Sequence, residues 1–254
     1  MIILLIALLF FITAILYAAV GFGGGSTYNA LLVIGDIDYW LIPIIALICN
    51  LIVVTGNTIQ YHRKKLIPWA FVIPIISVSI PAAFFAGTLT ISESLFVMIL
   101  GISLLFSGLA MIIRHSEVNE PKEWILSRSG LLMNAIIGFN LGLIAGFVGI
   151  GGGILFAPLL HLQKCLPSKQ IAAFASVFIF FNSIAGLSGQ LTKKTSIINT
   201  MLLTDYIWLF LAVLFGGQIG SRLGSQLLPG ILIRRLTGVL VIYVGIRMLL
   251  IFSN

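Results

Sequence analysis

Charge is what this chain has least of. Asp, Glu, Lys and Arg make up 8% of its 254 residues, against roughly 25% in an ordinary soluble domain. Acidic residues are the scarcer sign, seven against fourteen basic, and none lies deep in an apolar run. A carboxylate proton relay of the kind common in pumps is therefore unsupported. Cysteine is limited to Cys49 and Cys165, isolated from each other, which rules out a disulfide framework and leaves both as small packing residues. No Lys or Arg precedes Arg63, so the apolar N-terminus lacks the basic n-region of a secretory signal and reads as mature structure. No nucleotide-binding motif is present either.

What is there is apolar. Hydrophobic residues reach 60% and the mean hydropathy is +1.19. Many runs approach the ~20 residues that carry a helix across a bilayer, and no alternation typical of a membrane β-barrel appears. The expected spans, with their polar breaks, are Ile2–Val20, Leu41–Tyr61, Pro68–Leu89, Leu95–Ile113, Gly130–Val148, Lys169–Leu191, Ile197–Leu223 and Ile231–Phe252. Two shorter pieces, Ser26–Ile34 and Ile154–Gln163, follow glycine clusters. His115–Arg128 is the one clearly soluble stretch. It divides a first membrane repeat, residues 1–114, from a second, residues 129–254, with a charged linker over 115–128 between them.

The glycine clusters are copies of each other. GFGGGSTYNALL, from Gly21 to Leu32, returns half a chain later as GIGGGILFAPLL, from Gly149 to Leu160. The identities are four glycines and two leucines. A single such stretch is normally a packing or turn feature, but two at matching positions of an internal repeat point to a transporter's binding site. The repeat extends further. At one common offset, Gly87, Gly101 and Gly108 are answered by Gly224, Gly238 and Gly245. These suit close helix packing and need no chemical role.

Loop charges choose a topology. If each glycine-broken segment is a hairpin returning to its own side, each half has three full crossings and the halves insert in opposite orientation. Arg63, Lys64, Lys65, Arg114, Lys122, Arg128, Lys164, Lys169, Arg222, Arg234 and Arg235 then share one face, which is eleven of the fourteen basic residues. Lys193 and Lys194 face the other side, with Arg247 in the last helix. Eight single crossings would split the charges nine against five. The positive-inside rule favours the hairpins. The expected fold is all-α and integral to the membrane, as two inverted repeats, each a glycine-broken helical hairpin plus three transmembrane helices.

The chemistry follows from the breaks. A helix restarting after Gly23, Gly24 and Gly25, or after Gly151, Gly152 and Gly153, leaves its first N–H groups unpaired and carries partial positive charge at that end. Glycine allows the sharp turn and the close approach of a ligand, and in lipid such backbone survives only where protein buries it or a cavity adjoins it. Two facing helix starts would hold an anion. Ser26 and Thr27 add hydroxyls to the first copy, whereas Ile154 and Leu155 add nothing polar to the second. Asn50 and Asn57 share a helical face, as do Ser176 and Ser183, with Asn182, Gln60 and Gln190 nearby in sequence. Either these side chains bond between helices or they donate to the anion. Asn134, Asn140, Gln218 and Arg222 read as structural, Arg247 as a snorkelling side chain and His62 as solvated. His161 and Cys165 have i, i+4 spacing but no third ligand, so no metal is expected.

The doubled motif, the length and the charged linker resemble the TauE/SafE family of membrane anion permeases, the sulfite exporters, over nearly the whole chain. The second half resembles the family's second helix through Ala175, Ser176, Asn182 and Ser183; the first half departs with Cys49, Asn50, Thr55 and Asn57. The family's proline after the glycines is present as Pro158 and replaced by Asn29 or Ala30 in the first copy. The resemblance implies a secondary transporter in the bacterial inner membrane that moves sulfite, an organosulfonate or a related oxyanion, with no cofactor. The energy would come from the substrate gradient, a co-transported ion or a partner. A channel-like anion pore and a membrane-embedded enzyme are the alternatives, the latter lacking any acid–base pair.

Overall fold

A computed structural model describes residues 2–112, 123–164, 166–193 and 206–224, together with residues 235, 238, 239, 242, 243, 245, 246, 249 and 250. Among these residues there are helices and no strands. The order is α1 (Ile2–Val20), α2 (Gly25–Ile34), α3 (Ile42–Arg63), α4 (Trp69–Thr88), α5 (Glu93–Ile112), a 3-10 turn (Glu123–Leu126), α6 (Arg128–Val148), α7 (Gly153–Gln163), α8 (Ser168–Leu191) and α9 (Ile207–Gly224). Five of them, α3, α4, α5, α6 and α8, are long and apolar enough to cross a bilayer. The chain is a multi-pass helical membrane protein. Arg114, Lys122, Cys165, Lys194, Asp205, Arg234, Arg247 and most of the span Ile231–Phe252 lie outside the described residues, as does most of the charged linker.

Local sequence explains the helix ends. Ser127 caps α6, its Oγ accepting from Gly130 N–H at 3.2 Å, as N-cap serines do. Pro43 sits in the first turn of α3, where its missing N–H costs nothing. α3 runs past Tyr61 to Arg63, because basic side chains are favourable at a helix C-terminus. The same dipole argument lets Glu93, expected in a loop, open α5. Large apolar side chains such as Leu5, Phe85, Ile102, Leu132 and Phe215 stand exposed on five different helices. That surface suits acyl chains rather than water.

Both short helices fold back along their predecessors. Tyr28 of α2 stacks on Phe10 of α1 at 4.6 Å between centroids, and Gly35 meets Ile6 near the start of α1. On the other copy, Gln163 at the end of α7 donates to Asn134 near the start of α6 at 3.1 Å. Each pair is therefore a hairpin whose two ends lie together. An aromatic cluster of Phe71, Phe156, Phe174 and Phe178, with centroids 4.9–5.7 Å apart, ties α4 and α7 each to α8.

Longer-range packing runs through small residues. Gly138, Gly142 and Gly146 of α6 lie in turn against Ile75, Ser79 and Ala83 of α4, so these helices run parallel. Gly216 and Gly220 of α9 lie likewise against Phe11 and Ile15 of α1. Ladders spaced by four allow backbones to touch where lipid offers no hydrophobic drive for association. Gly108 meets residues 238 and 242, and Gly245 meets Leu104 and Leu105, so these repeated glycines are contact points as their spacing suggested. At the centre α3 and α8 run antiparallel: Leu47 lies against Gly186, whereas Tyr61 and Ala172 share Gly21.

A Cβ on Gly142 would stand 2.6 Å from the carbonyl oxygen of Ser79, whereas one on Gly186 meets nothing closer than 3.5 Å. Gly142→Val should lower the thermal midpoint of the detergent-solubilised protein, the cost being about 1–3 kcal/mol or more of overpacking. Gly186→Ala should leave it unchanged or raise it. Equal midpoints for the two variants would contradict this packing.

Candidate functional site

The two glycine turns are built alike. Gly21 and Gly24 have φ of 89° and 92°; Gly149, Gly151 and Gly152 have φ of 76°, 71° and 72°. These are left-handed values that only glycine adopts freely. Gly24 and Gly152 occupy the N-cap positions of α2 and α7, and neither helix has a side chain of its own as cap. In α2 the N–H groups of Thr27 and Tyr28 turn back to Gly24 O, each at 3.0 Å. In α7 those of Leu155 and Phe156 turn back to Gly152 O at 3.1 and 3.2 Å.

Asn50 supplies the missing cap from another helix. Its Oδ1 accepts from Gly25 N–H at 2.8 Å, and the residue is fully buried in α3. Gly23 and Gly25 leave just the room it needs, because a Cβ on either would collide with the Asn50 carboxamide. Its other end, Nδ2, is buried without a partner and faces the opposite glycine turn. The point where a Cβ would stand on Gly151 is 3.2 Å from Asn50 Nδ2 and 3.1 Å from Ser183 Oγ. Ser183 Oγ is likewise buried and unpartnered. Two unpaired groups able to donate, one from each half of the chain, thus converge beside Gly151, where the Ile179 Cγ2 methyl is nearer still at 2.7 Å. A buried donor left unpaired costs about 1–3 kcal/mol, so such a pair calls for an acceptor.

The halves contribute unlike residues at like positions. Gly23 is flanked by Asn50 and Val54, and Gly151, its match in the second copy, by Ile179 and Ser183. Asn50 thus corresponds to Ile179 and Val54 to Ser183. Each half brings one polar and one apolar group, in swapped order, so the polar pair forms only when both halves meet.

The other residues singled out from sequence have separate stations. The Ser26 and Thr27 hydroxyls turn to Tyr17 OH, at 3.4 and 2.7 Å. Ser176 Oγ donates to the carbonyl of Gly21 at 2.5 Å, bracing the first turn from the second half. Asn182 donates to Ser79 Oγ at 3.0 Å and to Phe178 O at 2.8 Å, which puts it in the α4–α8 contact. Asn57, also with an unpartnered Nδ2, lines a different cavity two turns along α3. Gly23, Gly24, Gly25, Asn50, Gly151, Gly152, Gly153 and Ser183 form the assembled group.

Some supports escaped the sequence reading. Asn29 Nδ2 donates to Val148 O at 2.5 Å, tying α2 to the open end of α6. Ser107 Oγ donates to Ile154 O at 3.2 Å, tying α5 to α7. Both are polar residues on otherwise apolar helices, which was the available signal. Among the described residues no three His, Cys, Asp or Glu side chains gather to hold a metal.

Set beside known proteins, the chain has clear relatives. The profile of the family described as sulfite exporter TauE/SafE matches residues 6–248. A probable membrane transporter protein of Sinorhizobium fredii is 30% identical over 249 residues, 96% of this chain and 97% of the relative. Another, from Methanocaldococcus jannaschii, is 28% identical over 235 residues, covering 86% and 85%. A sulfite exporter TauE/SafE family protein of Arabidopsis thaliana is 35% identical over 101 residues, 40% of this chain and 22% of the relative. No solved structure matches the chain.

Unpaired and paired hydroxyls should respond oppositely to deletion. Ser183→Ala removes a group without a partner and should leave the thermal midpoint unchanged or slightly higher. Ser176→Ala strands the Gly21 carbonyl and should cost about 1–2 kcal/mol, read as a lower midpoint in detergent. An equal loss in Ser183→Ala would show its hydroxyl to be satisfied within the protein.

Proposed function

The chain belongs to the sulfite exporter TauE/SafE family, and from that premise we propose that it is a secondary transporter of a small oxyanion. Sulfite, an organosulfonate or a related sulfur oxyanion is the substrate, bound between the two glycine turns, and the bacterial inner membrane is the location. That the protein is a membrane transporter and not an enzyme follows from its family. The anion is inferred from the site. Its one carrying observation is the convergence of Asn50 Nδ2 and Ser183 Oγ, both buried and unpartnered, at Gly151.

The chemistry of that group fits an oxyanion. It offers donors and two helix N-termini, and no carboxylate lies among its residues. Hydrogen bonds to a charged acceptor are worth more than those to a neutral one, about 1.5–3 kcal/mol each. The partial positive charge of the two helix starts adds to the two donors.

The architecture supports alternating access. Parallel α4–α6 and α1–α9 pairs are exchanged between the halves, and the matching helices α3 and α8 run antiparallel. We read residues 1–114 and 129–254 as two inverted repeats, with 115–128 joining them. Rocking one against the other would expose the anion to each side in turn.

Purified protein in proteoliposomes should carry sulfite or an organosulfonate down its gradient. Asn50→Asp keeps an acceptor for Gly25 N–H but replaces the Nδ2 donor, so expression should hold while flux falls about 10-fold or more. Flux of a neutral or cationic solute in place of any anion would contradict the proposal, as would near-normal anion flux in Asn50→Asp.

A further inference from the structure

Below the first glycine turn lies a second polar feature that the central site does not use. A cavity of about 170 Å³ opens between α1, α3, α9 and the start of α8, lined by Asn57, Gln60, Tyr61, Lys64, Lys169 and Ser221, with three small or apolar side chains completing the wall. Its lining holds two lysines and no carboxylate. Asn57, 2% exposed, has a buried Nδ2 without a partner. Tyr61 links the cavity to the central site, since its hydroxyl lies 2.8 Å from where a Cβ of Gly21 would stand. Asn50, Asn57 and Lys64 succeed one another at intervals of seven along α3, so one helical face runs from the central donors to the basic surface.

The repeat supplies an internal comparison. At the opposite end a space of about 20 Å³ is bounded by Trp40, Phe147, Gln190 and Lys193, among others. In the register that aligns the two glycine motifs, give or take a single position, Lys193 takes the place of Lys64, Gln190 of Tyr61, Trp40 of Lys169 and Phe147 of Ala19. Matching positions thus border a wide space, the open copy, and a narrow one, the shut copy. Room for one water needs only ~10–15 Å³, so the shut copy has space for little more, whereas the open one has room for a small oxyanion. In the shut copy a tryptophan replaces a lysine and a phenylalanine replaces an alanine. Its remaining lysine is turned inward: Lys193 Nζ donates to Gln190 Oε1 at 2.9 Å, and burial pulls its amine down to about 8.

We propose that the Lys64–Lys169 cavity is an antechamber that binds the oxyanion before it reaches Asn50 and Ser183, and that the Trp40–Lys193 space is its closed counterpart on the other face. This rests on the transport reading for its ligand class. Two lysines at the mouth of a low-dielectric recess concentrate anions there, and the Asn57 amide supplies a fixed donor inside. Passage through the Trp40–Lys193 space needs Lys193 to leave Gln190 and Trp40 to swing aside, toward a wider cavity of about 240 Å³ that shares Tyr39 and Phe96 with it and carries Asp36, Asp38 and Glu93 on its wall.

The test is protection of lysines from an amine-acylating reagent in the purified full-length protein, mapped by mass spectrometry. Sodium sulfite is compared with sodium chloride at equal ionic strength. Lys64 and Lys169 should acylate several-fold more slowly in sulfite, while the adjacent exposed Lys65 should not. Asn57→Ala should abolish the protection with both lysines still reactive, and Lys64→Gln with Lys169→Gln should raise KM for sulfite flux several-fold at unchanged kcat. Protection no greater at Lys64 and Lys169 than at Lys65 would overturn the antechamber, even with sulfite flux intact. Protection without sulfite flux would support the antechamber and contradict the transport reading alone.

Discussion

An N–H group at a helix start inside a bilayer has no water to turn to, and in this protein the first one of α2 is met by Asn50. That single bond holds the first glycine turn against α3, in a space that Gly23 and Gly25 leave free. It also fixes the carboxamide in one orientation. With Oδ1 engaged by Gly25 N–H, Nδ2 must face the other glycine turn and Ser183. Structure and site are thus two ends of one side chain. The cap that lets a broken helix exist in lipid also aims a donor across the boundary between halves.

The rest of the fold keeps those ends in register. Glycine ladders on α6 and α9 bring backbones into contact with α4 and α1. Ser176 reaches from α8 to the first turn and Asn29 from α2 to the end of α6, so each turn is braced by the opposite half. These bonds engage the Ser176 hydroxyl and the Asn29 Nδ2. Asn50 Nδ2 and Ser183 Oγ are among several buried groups that the same scaffold leaves unused, and they are the two that meet at Gly151. The paired cavities extend the logic outward: where one end has Lys169 and Ala19, the matching positions at the other carry Trp40 and Phe147.

Much of this was legible in the sequence. Scarce charge and long apolar runs marked the membrane helices, and the doubled glycine motif marked the turns. The pairing of Asn50 with a glycine turn was within reach, because an Asn in an apolar helix must find a partner. What periodicity cannot give is depth and neighbour. Asn50 and Asn57 share a face of α3 yet serve different places, one at the centre and one toward the basic surface. Ser176 and Ser183 share a face of α8 with a similar division. Ser26 and Thr27 sit beside the glycines in sequence, but a helix start turns their side chains to Tyr17 of α1. Only the packing of both halves reveals that Asn50 and Ser183, from opposite repeats, meet at Gly151.

The central claim is that an oxyanion sits at Gly151 between those two donors. Selenite, a heavier relative of sulfite, makes the claim visible through anomalous diffraction from crystals soaked or grown with it. A selenium peak is expected between the glycine turns, with oxygens within hydrogen-bond distance of Asn50 Nδ2 and Ser183 Oγ, and it should be lost in Asn50→Asp. A well-ordered crystal with no selenium between the glycine turns, whether or not selenium occupies the Lys64–Lys169 cavity, would contradict the claim.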